Sequence, residues 1–191
     1  MAFFLLPFLF EVAGVHPFTA AFILLLSRCW DAVTDPIVGR LSDITKTKWG
    51  RRRPWLLIAS IPLAVSYFFL WQVIPGSSQI IDFVYYLFWL VLYNTFYTCI
   101  SVPHLALIPE MTNSDKERTE LTSYKIITLV LAALLGTSVH GVLIQVIENQ
   151  RLAYFISASI FSVIFIFPPI ITAIVCKVLF RIYKIYKEYT F

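Results

Sequence analysis

Two acidic residues interrupt an otherwise apolar helical run, in the segment Arg28-Cys29-Trp30-Asp31-Ala32-Val33-Thr34-Asp35-Pro36. A spacing of four puts Asp31 and Asp35 on one face of a helix, and Arg28, three residues before Asp31, joins the same stripe. Thr34 adds a hydroxyl beside them. Carboxylates at membrane depth are costly and persist where they pair or line the path of an ion or substrate. Two carboxylates against one arginine leave a local negative excess that a small cation could neutralise. The alternative is structural: Asp31 pairs with Arg28, and Asp35 caps or packs.

The elements that carry these residues follow from composition. The chain has 191 residues, of which 59% are hydrophobic and 14% charged. A soluble domain cannot hide that much apolar surface, so the composition implies an all-α integral membrane protein. Residues 55–81 and 126–147 contain no Lys, Arg, Asp or Glu. Runs this long read as spanning helices, since about 20 residues cross the hydrocarbon core. The pattern does not alternate as barrel strands would. Six helices are expected, at about 1–14, 18–43, 54–74, 81–108, 118–147 and 152–178. The first is short for a span. Residues 1–178 form one six-helix bundle, and 179–191, with Arg181, Lys184 and Lys187, a basic tail or the start of a central loop. Cys29, Cys99 and Cys176 are scattered through the spans and give neither a disulfide framework nor metal-ligand spacing.

The net charge of +4 is no nucleic-acid signal, because the basic residues cluster in loops and at helix ends. Arg40, Lys46, Lys48, Arg51, Arg52 and Arg53 surround one loop, and Lys116 and Arg118 follow the fourth helix. By the positive-inside rule those loops, the tail and both termini are cytoplasmic. The basic loop should also attract anionic head groups. On the fourth helix Tyr86, Trp89, Tyr93, Tyr97 and His104 fall near one face. Such a stripe either lines a cavity or packs between helices.

Three blocks carry a family resemblance. The first is Arg28-x-x-Asp31-x-x-x-Asp35-Pro36-x-x-Gly39 with Asp43. The second is Trp49-Gly50-Arg51-Arg52-Arg53-Pro54-Trp55. The third joins Val102-Pro103-His104-x-Ala106-Leu107 to Glu117-Arg118-Thr119-x-Leu121-Thr122-Ser123-Tyr124. Together they resemble the glycoside–pentoside–hexuronide cation symporters of the major facilitator superfamily, the group of melibiose permeases and sodium-dependent lysophosphatidylcholine symporters. The resemblance implies the N-terminal half of a twelve-helix fold of two pseudo-symmetric halves, with substrate held between them near the midplane. It also implies a fragment: a first helix missing its start, and a C-terminal half as the absent partner.

The same resemblance implies a sodium site, with a proton as the alternative ion, at Asp31, Thr34, Asp35 and Thr98. Thr34 stands where the sugar permeases have asparagine. Glu11 falls at an acidic substrate-binding position of the first helix. Ser101 replaces a second sugar-binding aspartate. Substrate contacts are expected from Glu11, Arg28, Tyr97, Ser101 and Lys125. Asp43, Gly50, Arg51, Arg52 and Arg53 are candidates for a loop latch between the second and third helices. The block Gly136-Thr137-Ser138-Val139-His140-Gly141 resembles the lysophospholipid branch, whereas Trp49 to Trp55 is nearer the sugar type. Substrate therefore reads as a lysophospholipid or a sugar, with membrane lipid as the remaining partner.

No nucleophile elbow, zinc-protease motif or phosphate loop is present, so an enzyme is not expected, nor an organic cofactor. The competing class is a non-transporting truncated membrane protein that acts as a partner or packing module. The expected location is the plasma membrane. Single cysteines placed at Ser77 and Lys48 should react with an impermeant thiol reagent from outside and from inside, respectively. The reverse pattern would invert the topology.

Overall fold

The computed structural model describes the backbone of residues 2–76, 78–111 and 114–189, and the surroundings of the side chains at 4–76, 78–108 and 114–175. Ser77 lies outside the described residues, as do the side chains of Cys176, Arg181, Lys184 and Lys187. Six helices follow one another. They are α1 (Ala2–Pro7, continued by a wider π turn over Phe8–Val12), α2 (Pro17–Ile44), α3 (Arg53–Leu70), α4 (Gln79–Met111), α5 (Asp115–Val146) and α6 (Gln150–Tyr189). The expected helices are all present, with boundaries moved by a few residues. The largest change is at the end, where the backbone of the basic tail continues α6 as helix to Tyr189.

Among the described residues, four segments are long and apolar enough to cross a membrane: Arg53–Leu70, Gln79–Ile108, Asp115–Val146 and Gln150–Val175. The sequence reading expected six. The first helix is too short. The second has the length, at 28 residues, but Arg28, Asp31, Asp35, Arg40 and Asp43 lie within it. Its polar stripe keeps it from reading as a plain apolar span.

Local chemistry sets the turns. Pro7 ends the α-helical part of α1, and the backbone then widens, with Ala13 N–H bonding Phe8 O at 2.9 Å. Pro17 opens α2 at a position where a missing N–H does no harm, and His16 Nδ1 accepts from Phe18 N–H at 3.3 Å. Gln79 closes the same corner. Its amide donates to Gly14 O at 2.9 Å, and its oxygen accepts from His16 N–H at 3.0 Å. The start of α4 is thereby pinned to the α1–α2 turn. In the α2–α3 loop Gly50 adopts φ 103°, a conformation an L side chain resists.

The core lies between helices and not around a soluble centre. α4 packs against α2 on one side and α3 on another, and α6 covers α3. One apolar cluster joins Phe8, Leu9, Ile23, Tyr67, Leu70, Trp71, Tyr86 and Tyr154. A second and third, Leu56–Leu107–Ala173 and Val38–Ala59–Cys99, sit near the basic loop. Buried Ser60 and Ser66 fold their hydroxyls back onto Leu57 O and Leu63 O, at 2.8 and 2.9 Å. That keeps α3 small and satisfied where its neighbours approach. α5 is the outermost element, with most of its surface uncovered. Its one buried polar contact joins His140 Nδ1 to Ser157 of α6. Tandem Pro168 and Pro169 lie inside α6, which continues as helix past them.

The hydroxyl of Tyr86, 1% exposed, donates to Gln72 O at 2.8 Å. Tyr86→Phe keeps the ring and strands that carbonyl, so it should lower unfolding stability by about 1 kcal/mol. Thermal unfolding in mild detergent checks this. An unchanged midpoint would mean that the hydroxyl contributes nothing net.

Candidate functional site

The sequence offers α2 a stripe of polar groups, and the fold meets it with a polar stripe on α4. Three hydrogen bonds join them over two turns. Trp30 Nε1 donates to Thr95 Oγ1 at 2.9 Å. Asn94 Nδ2 donates to Asp31 Oδ2 at 3.1 Å. Thr98 Oγ1 donates to Asp35 Oδ1 at 2.8 Å. The last two place neutral donors on carboxylates, where a charge-assisted bond is stronger than a neutral one.

Arg28 also reaches Asp31 Oδ2, at 3.4 Å, so one oxygen takes both donors. The arginine side chain is 72% exposed and the contact is long, so the pair is a loose one. The other oxygen of Asp31, Oδ1, is buried with no hydrogen-bond partner among the described residues. Buried carboxylate oxygens are seldom left this way, since an unmet acceptor costs about 1–3 kcal/mol. The pairing alternative is thus half right: Arg28 does pair with Asp31, yet one carboxylate oxygen remains unmet.

A cavity of about 360 Å³ opens along this seam. Arg28, Asp31, Asp35, Asn94, Tyr97, Thr98 and Ser101 supply its polar wall, and Leu5, Leu24 and Leu90 much of its apolar wall. Thr34 is not among the lining residues. Its hydroxyl turns back onto its own helix, toward Trp30 O at 3.1 Å and Asp31 O at 3.3 Å. Pro36, one residue after Asp35, has no N–H to give to Ala32 O, so the helix is weakened beside the acidic pair.

Of the expected substrate contacts, Arg28, Tyr97 and Ser101 therefore meet at one cavity. Glu11 does not line it and is exposed on the π turn of α1. Lys125 stands half-buried on α5, within electrostatic reach of His104 on α4. The aromatic stripe of α4 divides. Tyr86 is buried in the main cluster and Trp89 stacks on Phe69 at 4.6 Å. Tyr93 and Tyr97, stacked at 6.1 Å, face the cavity. In the loop, Arg52 bonds Asp43 at 2.7 Å across the α2–α3 connection.

Asn94 and the Trp30–Thr95 tie were missed from sequence. A signal was present: Asn94, Thr98 and Ser101 recur at i, i+4 and i+7 in a mostly apolar helix. They form a polar stripe answering the one on α2.

A helical bundle with four apolar spans among its described residues and a polar cavity lined from α1, α2 and α4 is the kind of frame a membrane transporter domain uses. The comparisons agree. A family profile described as MFS/sugar transport protein matches residues 1–185, and the chain belongs to that family of major facilitator transporters, not to an enzyme family. It is 38% identical over 144 residues to the sodium-dependent lysophosphatidylcholine symporter 1-A of Danio rerio, covering 74% of this chain and 26% of that protein. A Gallus gallus sodium-dependent lysophosphatidylcholine symporter 1 is 36% identical over 171 residues, 85% of this chain and 31% of the other. A sphingosine-1-phosphate transporter of Xenopus tropicalis is 36% identical over 143 residues, 73% of this chain and 27% of that protein. The chain spans about a quarter to a third of the length of these curated relatives.

Proposed function

We propose that this chain supplies the cation site and one wall of the substrate path of a sodium-coupled symporter, working with a second six-helix half. The observation that carries the reading is the α2–α4 seam. Asp31 and Asp35 meet Asn94 and Thr98 at one cavity, and the buried Oδ1 of Asp31 has no hydrogen-bond donor among the described residues. Two carboxylates with a hydroxyl oxygen form a hard-donor set, which suits a small cation such as sodium. The ion's part in the cycle is to neutralise the acidic pair. Without it, closing the cavity would bury net negative charge in a low-dielectric seam.

Asp31 and Asp35 are the charged ligands in this reading. Thr98 adds a hydroxyl oxygen from α4, and Asn94 orients Asp31. Thr34 contributes least, because its hydroxyl is engaged by its own helix. Ser101 and Tyr97 extend the same wall toward substrate. The loop pair Asp43–Arg52, with Gly50, Arg51 and Arg53, fixes the angle between α2 and α3 that such a cycle requires. The basic side then faces the cytoplasm.

For substrate the reading is a lysophospholipid. The named relatives carry lysophosphatidylcholine or sphingosine-1-phosphate, and Ser101 lacks the charge that sugar hydroxyls favour. Lys125 would meet the phosphate through a charge-assisted contact. A sugar remains the second reading, because the stacked Tyr93 and Tyr97 rings could hold a sugar face.

Two measurements on the complete transporter in proteoliposomes test these roles. Asp31→Asn or Asp35→Asn should reduce sodium stimulation about tenfold or more, a loss exceeding about 1.4 kcal/mol, with normal membrane insertion. Thr98→Val should impair it more than Thr34→Val. Wild-type sodium dependence in both aspartate variants would leave these carboxylates a purely structural role.

Lys125→Ala should cut lysophospholipid uptake several-fold at equal protein level, and Lys125→Arg should retain most of it. Saturable sodium-driven uptake of a neutral glycoside, without lysophospholipid uptake, would overturn the substrate.

A further inference from the structure

A second opening, of about 390 Å³, lies away from the acidic seam, between the start of α3 and the latter half of α4. Pro54, Trp55, Ile58 and Ala59 form one wall, Phe96 and Cys99 the other, and Thr45 and Thr47 of the basic loop form its rim. The few polar atoms there are already satisfied. Trp55 Nε1 donates to Thr45 Oγ1 at 3.1 Å, Thr45 donates to Leu41 O at 2.6 Å, and Thr47 donates to Gly50 O at 2.6 Å. What remains is a dry apolar slot. It opens sideways past Ile58, which is 73% exposed.

The rim has the opposite character. Lys46 and Lys48 flank it, and Asp43, the one acid in residues 43–54, is held by Arg52. Lys46 and Lys48 are exposed on either side of rim residue Thr47. Trp49 is exposed beside them, as aromatic residues are at a membrane–water boundary. An apolar slot below a cationic rim is complementary to one kind of molecule in a bilayer. It has hydrocarbon at one end, and net negative charge at the other.

We propose that this groove holds an acyl chain of an anionic diacyl phospholipid from the leaflet the basic loop faces, with its head group at Lys46 and Lys48. The lipid fills the slot between α3 and α4 and joins the loop to the helices by a route that Asp43–Arg52 does not provide. Neither the coupling ion nor the transported substrate enters this contact. It therefore stands or falls separately from the symport reading.

The test uses the purified chain in mild detergent, titrated with phosphatidylglycerol or phosphatidylcholine brominated along the acyl chain, which quenches nearby tryptophan. Brominated phosphatidylglycerol should quench at roughly tenfold lower mole fraction than the choline lipid, since each lysine near the surface adds an attraction to anionic head groups. Lys46→Gln with Lys48→Gln should erase the difference while leaving helicity unchanged. Trp55→Phe should remove the phosphatidylglycerol-specific part of the quenching, placing the chain in the groove. Equal quenching by the two lipids would overturn the proposal, leaving ordinary bilayer lipid as the occupant. So would a preference that survives Trp55→Phe, or full competition by water-soluble glycerophosphoglycerol, which would mean a head-group site without the groove.

Discussion

Inside a bilayer a polar side chain that finds no partner on another helix has no water to turn to. α2 carries more such groups than any of its neighbours could ignore. The bonds Trp30–Thr95, Asp31–Asn94 and Asp35–Thr98 answer that demand over two turns of the same interface. They fix the rotation of α4 as well as its distance from α2. With α4 so turned, Tyr86 and Leu90 face the main apolar cluster, and Tyr93 and Tyr97 fall on the cavity. α3 then packs on the remaining side of α4, and α6 on α3. The polar seam is the reference from which the other helices take their places.

The corner at Gly14, His16 and Gln79 supports the same geometry from one end. The Asp43–Arg52 pair supports it from the other. Between them α2 is held at both ends and along its length, although Arg28, Asp31, Asp35, Arg40 and Asp43 lie within it. Its exposed surface mixes aliphatic residues, such as Leu25, Val33, Ile37 and Leu41, with Arg28, Asp35 and Arg40. Its buried residues are Ala20, Ile23 and Val38 together with the hydroxyls of Ser27, Thr34 and Ser42.

Much of this was legible in the sequence because it depends on spacing within one helix. The charge-free runs gave the spans, and the interval of four gave the common face of Asp31 and Asp35. The family blocks pointed to Thr98 and Ser101, which do reach that face. Cross-helix register was not legible in the same way. That Asn94 meets Asp31 depends on how far α4 slides along α2, which no local pattern specifies. For the same reason the aromatic stripe was read as a single face, when it divides between core and cavity. Glu11 was placed by analogy, but the π turn after Pro7 rotates the end of α1 away from where a regular helix would carry it. Lys125 rides on α5, the element with the fewest constraints on its position.

The prolines at 168 and 169 deserve a mechanical reading. Each lacks an N–H, so the carbonyls of Ile164 and Phe165 lose their usual donors four residues on, and the rings press against those same carbonyls. Two adjacent rungs are missing from one ladder. The helix runs on through this point, yet the two missing rungs make it a soft joint between two rods. The rod before the joint is clamped by Tyr154 in the aromatic cluster and by Ser157 against His140. The rod after it meets the bundle through Ala173, beside Leu56 and Leu107. A pull on the C-terminal rod would bend the joint before it disturbed the clamped one. The aromatic layer is therefore insulated from whatever loads the end of the chain.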